Sequence, residues 1–183
     1  MLRFAANLTF LWPELDPYDR CRAAAEAGFR AVEILFPHEL DLDLLERTLR
    51  DYQLELALFD APAGDRSAGE RGLLCLPGRE DDFLQSVRQA LHLAERFGTR
   101  RINVLAGNLP EGMDRSLALA TATANLRRAA QLAGTAGVRL LIENISPAAA
   151  PGYFTPTIQR AVELVSTALH PPSGCSSISI TSA

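Results

Sequence analysis

A short apolar segment of the sequence ends in an acidic residue. The segment is Arg139-Leu140-Leu141-Ile142-Glu143-Asn144-Ile145-Ser146, and its apolar run is typical of a strand buried on both faces. The carboxylate of Glu143 would cost free energy in such a place unless a partner compensates it. That partner is either structural, such as an arginine or a backbone N–H group, or functional, such as a metal ion or a substrate.

Polar residues also close the other segments that have strand composition. We expect strands at 4–9, 30–36, 54–60, 101–107 and 139–146. The polar residues near their carboxyl ends are Asn7, Glu33, Asp60, Asn108, Glu143 and Asn144. In barrels and in open α/β sheets the active site lies at this edge. A pair of carboxylates placed there could move a proton between adjacent carbon atoms of a substrate.

Amphipathic segments separate the predicted strands. Helices are expected at about 17–27, 41–51, 80–97, 114–135 and 157–167. The alternation of strand and helix predicts a parallel sheet with right-handed crossovers, either an open doubly wound sheet or a (β/α)8 barrel. No G-x-G-x-x-G motif follows the first strand, which argues against the dinucleotide-binding form of the open sheet.

A long loop at 61–78 contributes further candidates. Loops of this length within a compact domain usually act as lids or binding loops. Arg79, at its end, could hold a substrate carboxylate through two parallel hydrogen bonds, and Glu70 could contact substrate. Both side chains could equally be solvated surface charges. Likewise, Glu33 either contacts substrate or pairs with a neighbour, and Asn7 either binds a substrate hydroxyl or satisfies backbone groups.

Composition excludes several classes of protein. The 183 residues carry a net charge of −4 without a block of Lys or Arg, so nucleic acid is not an expected partner. No apolar run approaches the roughly 20 residues that span a bilayer, so we expect no membrane association. The first residues show no signal-peptide pattern, and the three cysteines have no metal-ligand or CxxC spacing. These features favour a reducing cytoplasm.

The last part of the sequence differs in character from the rest. Residues 166–183 are rich in Ser and Pro and show no helical period. We therefore expect one domain at 1–165, followed by an irregular tail at 166–183 that is unrelated to the domain or disordered. A short strand at 178–180 is the alternative. Five βα units are too few to close a barrel.

Several segments resemble the hydroxypyruvate isomerases, members of the xylose isomerase-like TIM barrels that also include 2-oxo-tetronate isomerase. The resemblance covers residues 1 to about 165 and is carried by 3–8, 28–33, 62–65, 69–70, 76–80, 125–127 and 141–143. Its more specific parts in combination are the Pro-Gly-Arg-Glu loop at 77–80 and the Ile-Glu end of the 139–146 strand. The resemblance implies an α/β fold of the (β/α)8 TIM-barrel type, C-terminally truncated to about five βα units.

The resemblance also implies a reaction. The chain would be an intramolecular oxidoreductase of glyoxylate and carbohydrate metabolism, interconverting hydroxypyruvate and tartronate semialdehyde (2-hydroxy-3-oxopropanoate) or a related 2-oxo sugar acid. Glu143 would be the catalytic acid/base and a ligand of a divalent metal, Mg²⁺ or Mn²⁺. Asn7, Glu33, Glu70 and Arg79 are the expected substrate contacts. A second catalytic glutamate and further metal ligands belong to later strands of the family's barrel.

Two alternatives remain open at this point. The chain could be an inactive barrel fragment that persists by self-association through open sheet edges, because unpaired strand edges and exposed apolar surface promote association. It could also be a metal-dependent endonuclease or epimerase on the same scaffold. The second alternative has less support, since such sites are rich in histidine and this sequence contains three.

Overall fold

The computed structural model describes residues 4–169 and 178–182. Among these residues, parallel strands alternate with α-helices. The strands are β1 Ala6–Asn7, β2 Ala31–Glu33, β3 Glu55–Asp60, β4 Arg101–Asn103, β5 Arg139–Asn144 and β6 Ile178–Ser182. The helices are α1 Pro17–Glu26, α2 Leu42–Asp51, α3 Glu80–Phe97, α4 Arg115–Thr135 and α5 Ile158–Leu169, with 3-10 turns at Pro37–Glu39 and Arg66–Ala68.

The strands form one sheet in the order of the sequence, from β1 to β6, and every neighbouring pair is parallel. A doubly wound sheet reverses its strand order at a switch point, whereas a barrel adds each strand beside the previous one. The sequential order therefore selects the barrel topology of the two predicted architectures. Within the described residues β1 pairs only with β2 and β6 only with β5, so the barrel is incomplete.

Local sequence explains where the helices begin and end. The side chains of Asp16, Asp41 and Asp114 accept hydrogen bonds from backbone N–H groups in the first turns of α1, α2 and α4. Pro17 occupies the first position of α1, where its missing N–H group costs nothing. Gly98 ends α3 with a φ of 67°, a conformation that glycine adopts without strain.

The core lies between the sheet and its helices. Ile102, Leu140 and Ile142 are fully buried on one face, and β5 contacts both α4 and α5. Burying each such side chain is worth about 1.5–3 kcal/mol. Because side chains alternate across a strand, Leu141 and Glu143 point to the opposite face, toward the interior of the barrel. No helix in the described part of the chain is long and apolar enough to cross a membrane.

The structure corrects the expectation of an irregular tail after residue 165. Helix α5 continues to Leu169, and β6 pairs with β5 from Leu140↔Ile178 to Asn144↔Ser182. The sheet thus has six strands rather than the expected five, and the alternative of a short strand near 178–180 is confirmed. Strand β6 forms because the far edge of β5 offers backbone partners and because Ile178 and Ile180 pack on the core. Residues 170–177 and 183 of the expected tail lie outside the described residues.

Candidate active site

Four neighbouring strands deliver polar side chains to one edge of the sheet. Glu33, Asp60 and Asn103 are the last residues of β2, β3 and β4, and Glu143 is the second-to-last residue of β5. Asp60 is in register with Asn103, which is in register with Leu141, two residues before Glu143. Residues in register, and residues two apart, share a face of the sheet. We call these four residues the carboxyl-edge cluster.

The amide of Asn103 joins two acidic members of the carboxyl-edge cluster. Its Nδ2 donates to Asp60 Oδ1 at 3.1 Å and to Glu143 Oε2 at 2.8 Å. Asp60 is 2% exposed and Asn103 is 3% exposed, so the bond between them is shielded from water, whereas the bond to the half-buried Glu143 is partly buried. Asn103 Oδ1 is buried and has no hydrogen-bond partner within residues 4–169 and 178–182. The sequence-predicted carboxylate of Glu143 is therefore held by a neutral amide donor and not by an arginine.

The environment makes these carboxyl groups hold protons more tightly than usual. Burial raises the pKa of Asp60 to about 8, against the opposing effect of its hydrogen bond from Asn103. Burial also raises the pKa of Glu143, again opposed by the Asn103 bond. The pKa of Glu33 is raised by burial and then by the charge of Glu143. A raised pKa brings a carboxyl group closer to the range in which it can both accept a proton from a substrate and return it.

The segment that follows β5 is tied to the segment that follows β4. The hydroxyl of Tyr153 accepts a hydrogen bond from the N–H of Ala106 at 2.8 Å, and the hydroxyl of Thr155 donates to the carbonyl of Glu143 at 3.0 Å. Burial raises the pKa of Tyr153, so its phenol stays neutral. These bonds fix the position of the backbone at Glu143.

Glu70 and Arg79, the two loop residues predicted to contact substrate, bind each other. Arg79 Nη1 donates to Glu70 Oε1 at 2.7 Å, and Glu70 Oε2 accepts from the N–H of Asp65 at 2.6 Å. Arg79 also pairs with Asp82. The hydrogen bond from Arg79 lowers the pKa of Glu70. The structure thus gives both residues a role within the 61–78 loop, and their contact with substrate stays a prediction.

Asn7 lies beside Glu33, its partner in register on β2. Its Oδ1 accepts a hydrogen bond from the N–H of Thr9 at 3.0 Å. This is the backbone role that the sequence left open for Asn7. Contact of Asn7 or Glu33 with substrate stays a prediction, although the structure does place Glu33 within reach of the Glu143 charge.

Sequence reasoning missed Asn103 and gave Asp60 no role. Asp60 was noticed only as one of several polar strand ends. Asn103 interrupts the apolar run Ile102-Asn103-Val104-Leu105, and a polar residue within such a predicted strand is a usable signal. The bond from Asn103 to Glu143 depends on strand register, which that signal does not contain.

The described part of the chain does not contain a complete site for the expected divalent metal. No group of three or more His, Cys, Asp or Glu side chains there is arranged to hold a metal ion. Divalent Mg²⁺ and Mn²⁺ prefer several oxygen ligands, and Glu143 would supply one of them. The metal therefore stays a prediction based on the resemblance.

The curated proteins to which this chain is similar include isomerases. The chain is 41% identical over 165 residues to hydroxypyruvate isomerase of Escherichia coli K12, covering 90% of this chain and 64% of that protein. It is 48% identical over 154 residues to 2-oxo-tetronate isomerase of Cupriavidus necator, covering 84% and 59% of the two chains. The chain thus spans about three fifths of the length of these curated relatives.

Comparison with solved structures and family profiles gives the same fold. A crystal structure described as AP endonuclease, family 2, from Brucella melitensis superposes with a TM-score of 0.91 at 38% identity, covering 99% of this chain and 68% of that chain. The profile of the xylose isomerase-like TIM barrel matches residues 21–172, which passes the boundary expected at 165. The chain belongs to the xylose isomerase-like TIM barrel family.

Proposed function

We propose that this chain catalyses an aldose–ketose type isomerisation of hydroxypyruvate to tartronate semialdehyde, or of a related 2-oxo sugar acid. The observation that carries the proposal is the setting of Glu143, at the carboxyl edge of a barrel sheet, half-buried and hydrogen-bonded by Asn103. The raised pKa of Glu143 suits a base that must also give its proton back. The names of the curated relatives support the substrate class.

The reaction moves one hydrogen from C3 to C2 and one from O3 to O2. In the proposed sequence, Glu143 removes a proton from C3, and the bonding electrons form the C2–C3 double bond of an enediol whose O2 is protonated in the same step. Glu143 then returns the proton to C2. Glu33, whose raised pKa favours its protonated form, would protonate O2 in the first step and accept the O3 proton in the second. Both carboxyl groups end in their starting states.

The other predicted residues enter the proposal as substrate contacts. Arg79 would face the substrate carboxylate, Glu70 would orient Arg79 through their ion pair, and Asn7 would bind a hydroxyl. A divalent cation, when bound, would polarise the two substrate oxygens. Within the described residues Glu143 would supply one oxygen ligand to that cation, so we derive no step through the ion.

A reducing cytoplasm is the proposed compartment. Cys21 and Cys75 are free and buried. Burial raises their pKa values to about 11 and about 12, which keeps both as unreactive thiols.

The proposal is tested by assaying purified chain with hydroxypyruvate in EDTA and in Mg²⁺. We expect tartronate semialdehyde to form, and we expect Glu143→Gln to lose at least about a hundredfold in rate, as general acid–base catalysis contributes about 10²–10⁴-fold. Circular dichroism and thermal unfolding should be the same for both proteins. Absence of turnover under both conditions, or equal rates for the two proteins, would remove the isomerase proposal.

An inactive fragment is the second candidate function, and a specific observation favours it. Strands β1 and β6 each have one partner among the described strands, and the chain spans about three fifths of its curated relatives. In that case the chain would show no turnover and would self-associate. The same purified sample therefore decides between the two candidates.

A further inference from the structure

The amide of Asn103 uses both of its hydrogens on acidic partners, Asp60 and Glu143. A side-chain amide has two ends of similar shape, one that donates and one that accepts. Rotated by half a turn, Asn103 would present its oxygen to Glu143 Oε2, and two acceptors would then face each other in a buried site. Shape alone therefore does not select the orientation in which Asn103 donates to Glu143; hydrogen-bond partners must select it.

Asp60 is placed to make that selection. It lies opposite Asn103 in the β3–β4 ladder, and the next residue along, Ala61, donates its N–H to the carbonyl of Asn103 at 2.8 Å. The side chain of Asp60 is 2% exposed, so water cannot substitute for it as an acceptor. The amide oxygen of Asn103 has no partner among the described residues, so the observed orientation rests on the two bonds that Nδ2 donates, to Asp60 and to Glu143.

We propose that Asp60 is a positioning residue for Glu143 and acts through Asn103: by accepting one amide hydrogen, it holds the other hydrogen on the catalytic carboxylate. The inference deepens the proposed function and rests on it for the role of Glu143. The charged and titratable groups that act on Asp60 are Glu143 and Glu33, which raise its pKa, and Arg66, which lowers it. In the observed geometry Asp60 Oδ1 accepts the amide hydrogen, which it can do when Asp60 is ionised or when its proton is on the other oxygen.

Two substitutions separate positioning from packing. Asp60→Asn keeps an oxygen acceptor and the shape of the side chain, whereas Asp60→Leu keeps a similar volume without an acceptor. The direct readout is the Asn103 side-chain amide in ¹⁵N NMR spectra, assigned by its loss in Asn103→Leu. We expect wild type and Asp60→Asn to share its resonances and slow hydrogen exchange. We expect Asp60→Leu to shift the resonances and to speed exchange at least about tenfold, because one buried hydrogen bond is lost.

This measurement does not need turnover, so it can fail separately from the proposed function. Unchanged amide resonances and exchange in Asp60→Leu would overturn the inference, and so would equal disturbance in Asp60→Asn. If Asp60→Leu does not fold, Asp60→Ala removes the same acceptor and is judged by the same criteria. A folded wild type with the expected amide behaviour but without turnover would count against the isomerase proposal alone.

Kinetics supply the second readout where the chain turns over hydroxypyruvate. Misplacing a catalytic carboxylate should lower kcat about 10- to 100-fold, with KM changed less than about twofold. Asp60→Asn should recover most of the loss. A rise in KM at constant kcat would contradict positioning, and so would equal losses in Asp60→Asn and Asp60→Leu.

Discussion

The carboxyl groups of Glu33, Asp60 and Glu143 share one buried edge, and they cannot all be ionised without cost. Burial is the main reason that all three pKa values are raised, and the charge of Glu143 adds to the effect on the other two. Asp60 is the most buried of the three. It is therefore the group that we expect to keep its proton at neutral pH, which leaves more of the negative charge to Glu143.

Asp60 should make the stability of the fold depend on pH. Its pKa is about 8 in the folded chain and about 3.9 in an unfolded one, so the folded state binds the proton more tightly. Stability that is present below about pH 4 should be lost as pH rises toward 8, by on the order of a few kcal/mol. Asp60→Asn cannot ionise and should flatten this dependence. Urea unfolding at several pH values in metal-free buffer measures the pH dependence of the free energy of unfolding.

The matched control for that experiment is Asp51→Asn, which changes an exposed carboxylate at the end of α2. It should leave the pH dependence of the wild type in place. Equal pH dependence of the free energy of unfolding in wild type and Asp60→Asn would show that folding does not raise the pKa of Asp60.

Glu143 should set the acidic limb of the pH–rate profile. A base must be deprotonated, so kcat/KM should rise with pH through a midpoint above the ordinary glutamate value of about 4.3. The hydrogen bond from Asn103 favours the charged form, so Asn103→Leu should move that midpoint to higher pH. A midpoint at the ordinary value, or a shift to lower pH in Asn103→Leu, would contradict the assignment.

The 61–78 loop packs closely against the segment that follows β4. The 61–78 loop meets the segment after β4 through a bridge between Gly72 and Ala106, and Cys75 donates its N–H to the carbonyl of Ala106 at 3.0 Å. Gly72 has a φ of 121°, and a Cβ atom there would lie 2.2 Å from the carbonyl oxygen of Leu105. The absence of a side chain at residue 72 thus permits the loop to pack beside the strand that carries Asn103.

Gly72→Ala should displace the loop, because the clash is with backbone atoms that cannot rotate away. We expect a loss of about 3 kcal/mol or more in the free energy of unfolding. Gly69→Ala is the matched control: Gly69 also has a positive φ, of 86°, but a Cβ atom there would meet nothing within 4 Å. It should cost about 1 kcal/mol for backbone strain alone. Denaturant unfolding measures both variants. If Gly72→Ala and Gly69→Ala lose the same free energy of unfolding, the loop is not tightly packed against Leu105 at residue 72.

The described part of the chain presents an open sheet. Strands β1 and β6 each pair on one side within the described residues. Phe4 and Phe10, which flank β1, are 72% and 68% exposed. A cavity of about 680 Å³ lies at the amino ends of the strands and is lined in part by Phe4 and Phe29. Unpaired edges next to apolar surface favour association between copies.

The chain in isolation should therefore self-associate in a concentration-dependent way. Replacing Phe4 and Phe10 together by Ser should reduce that association, because it removes apolar surface beside the free edge of β1. Leu117→Ser, on α4, is the matched control, since Leu117 is 52% exposed and lies away from β1. Sedimentation velocity over a range of concentrations measures the effect. A monomer at every concentration would remove the self-associating fragment as a candidate.

Local signals in the sequence were enough to predict most elements. The helix starts after Asp16, Asp41 and Asp114 depend on hydrogen bonds within a few residues, and apolar periodicity is read over one or two turns. The order of strands and helices follows from these signals. Glu143 was also found in this way, because an acidic residue closing an apolar run is visible without any partner.

These local signals do not predict contacts between residues that are far apart in the sequence. Strand β6 lies in a Ser-rich segment and exists because β5 offers it a free edge. Asn103 reaches Asp60 and Glu143 across 43 and 40 residues, and only the register of three strands brings them together. The raised pKa values follow from burial that those strands share. Sequence periodicity reports which face a residue occupies along its own strand, whereas register and common burial are set when the strands pair.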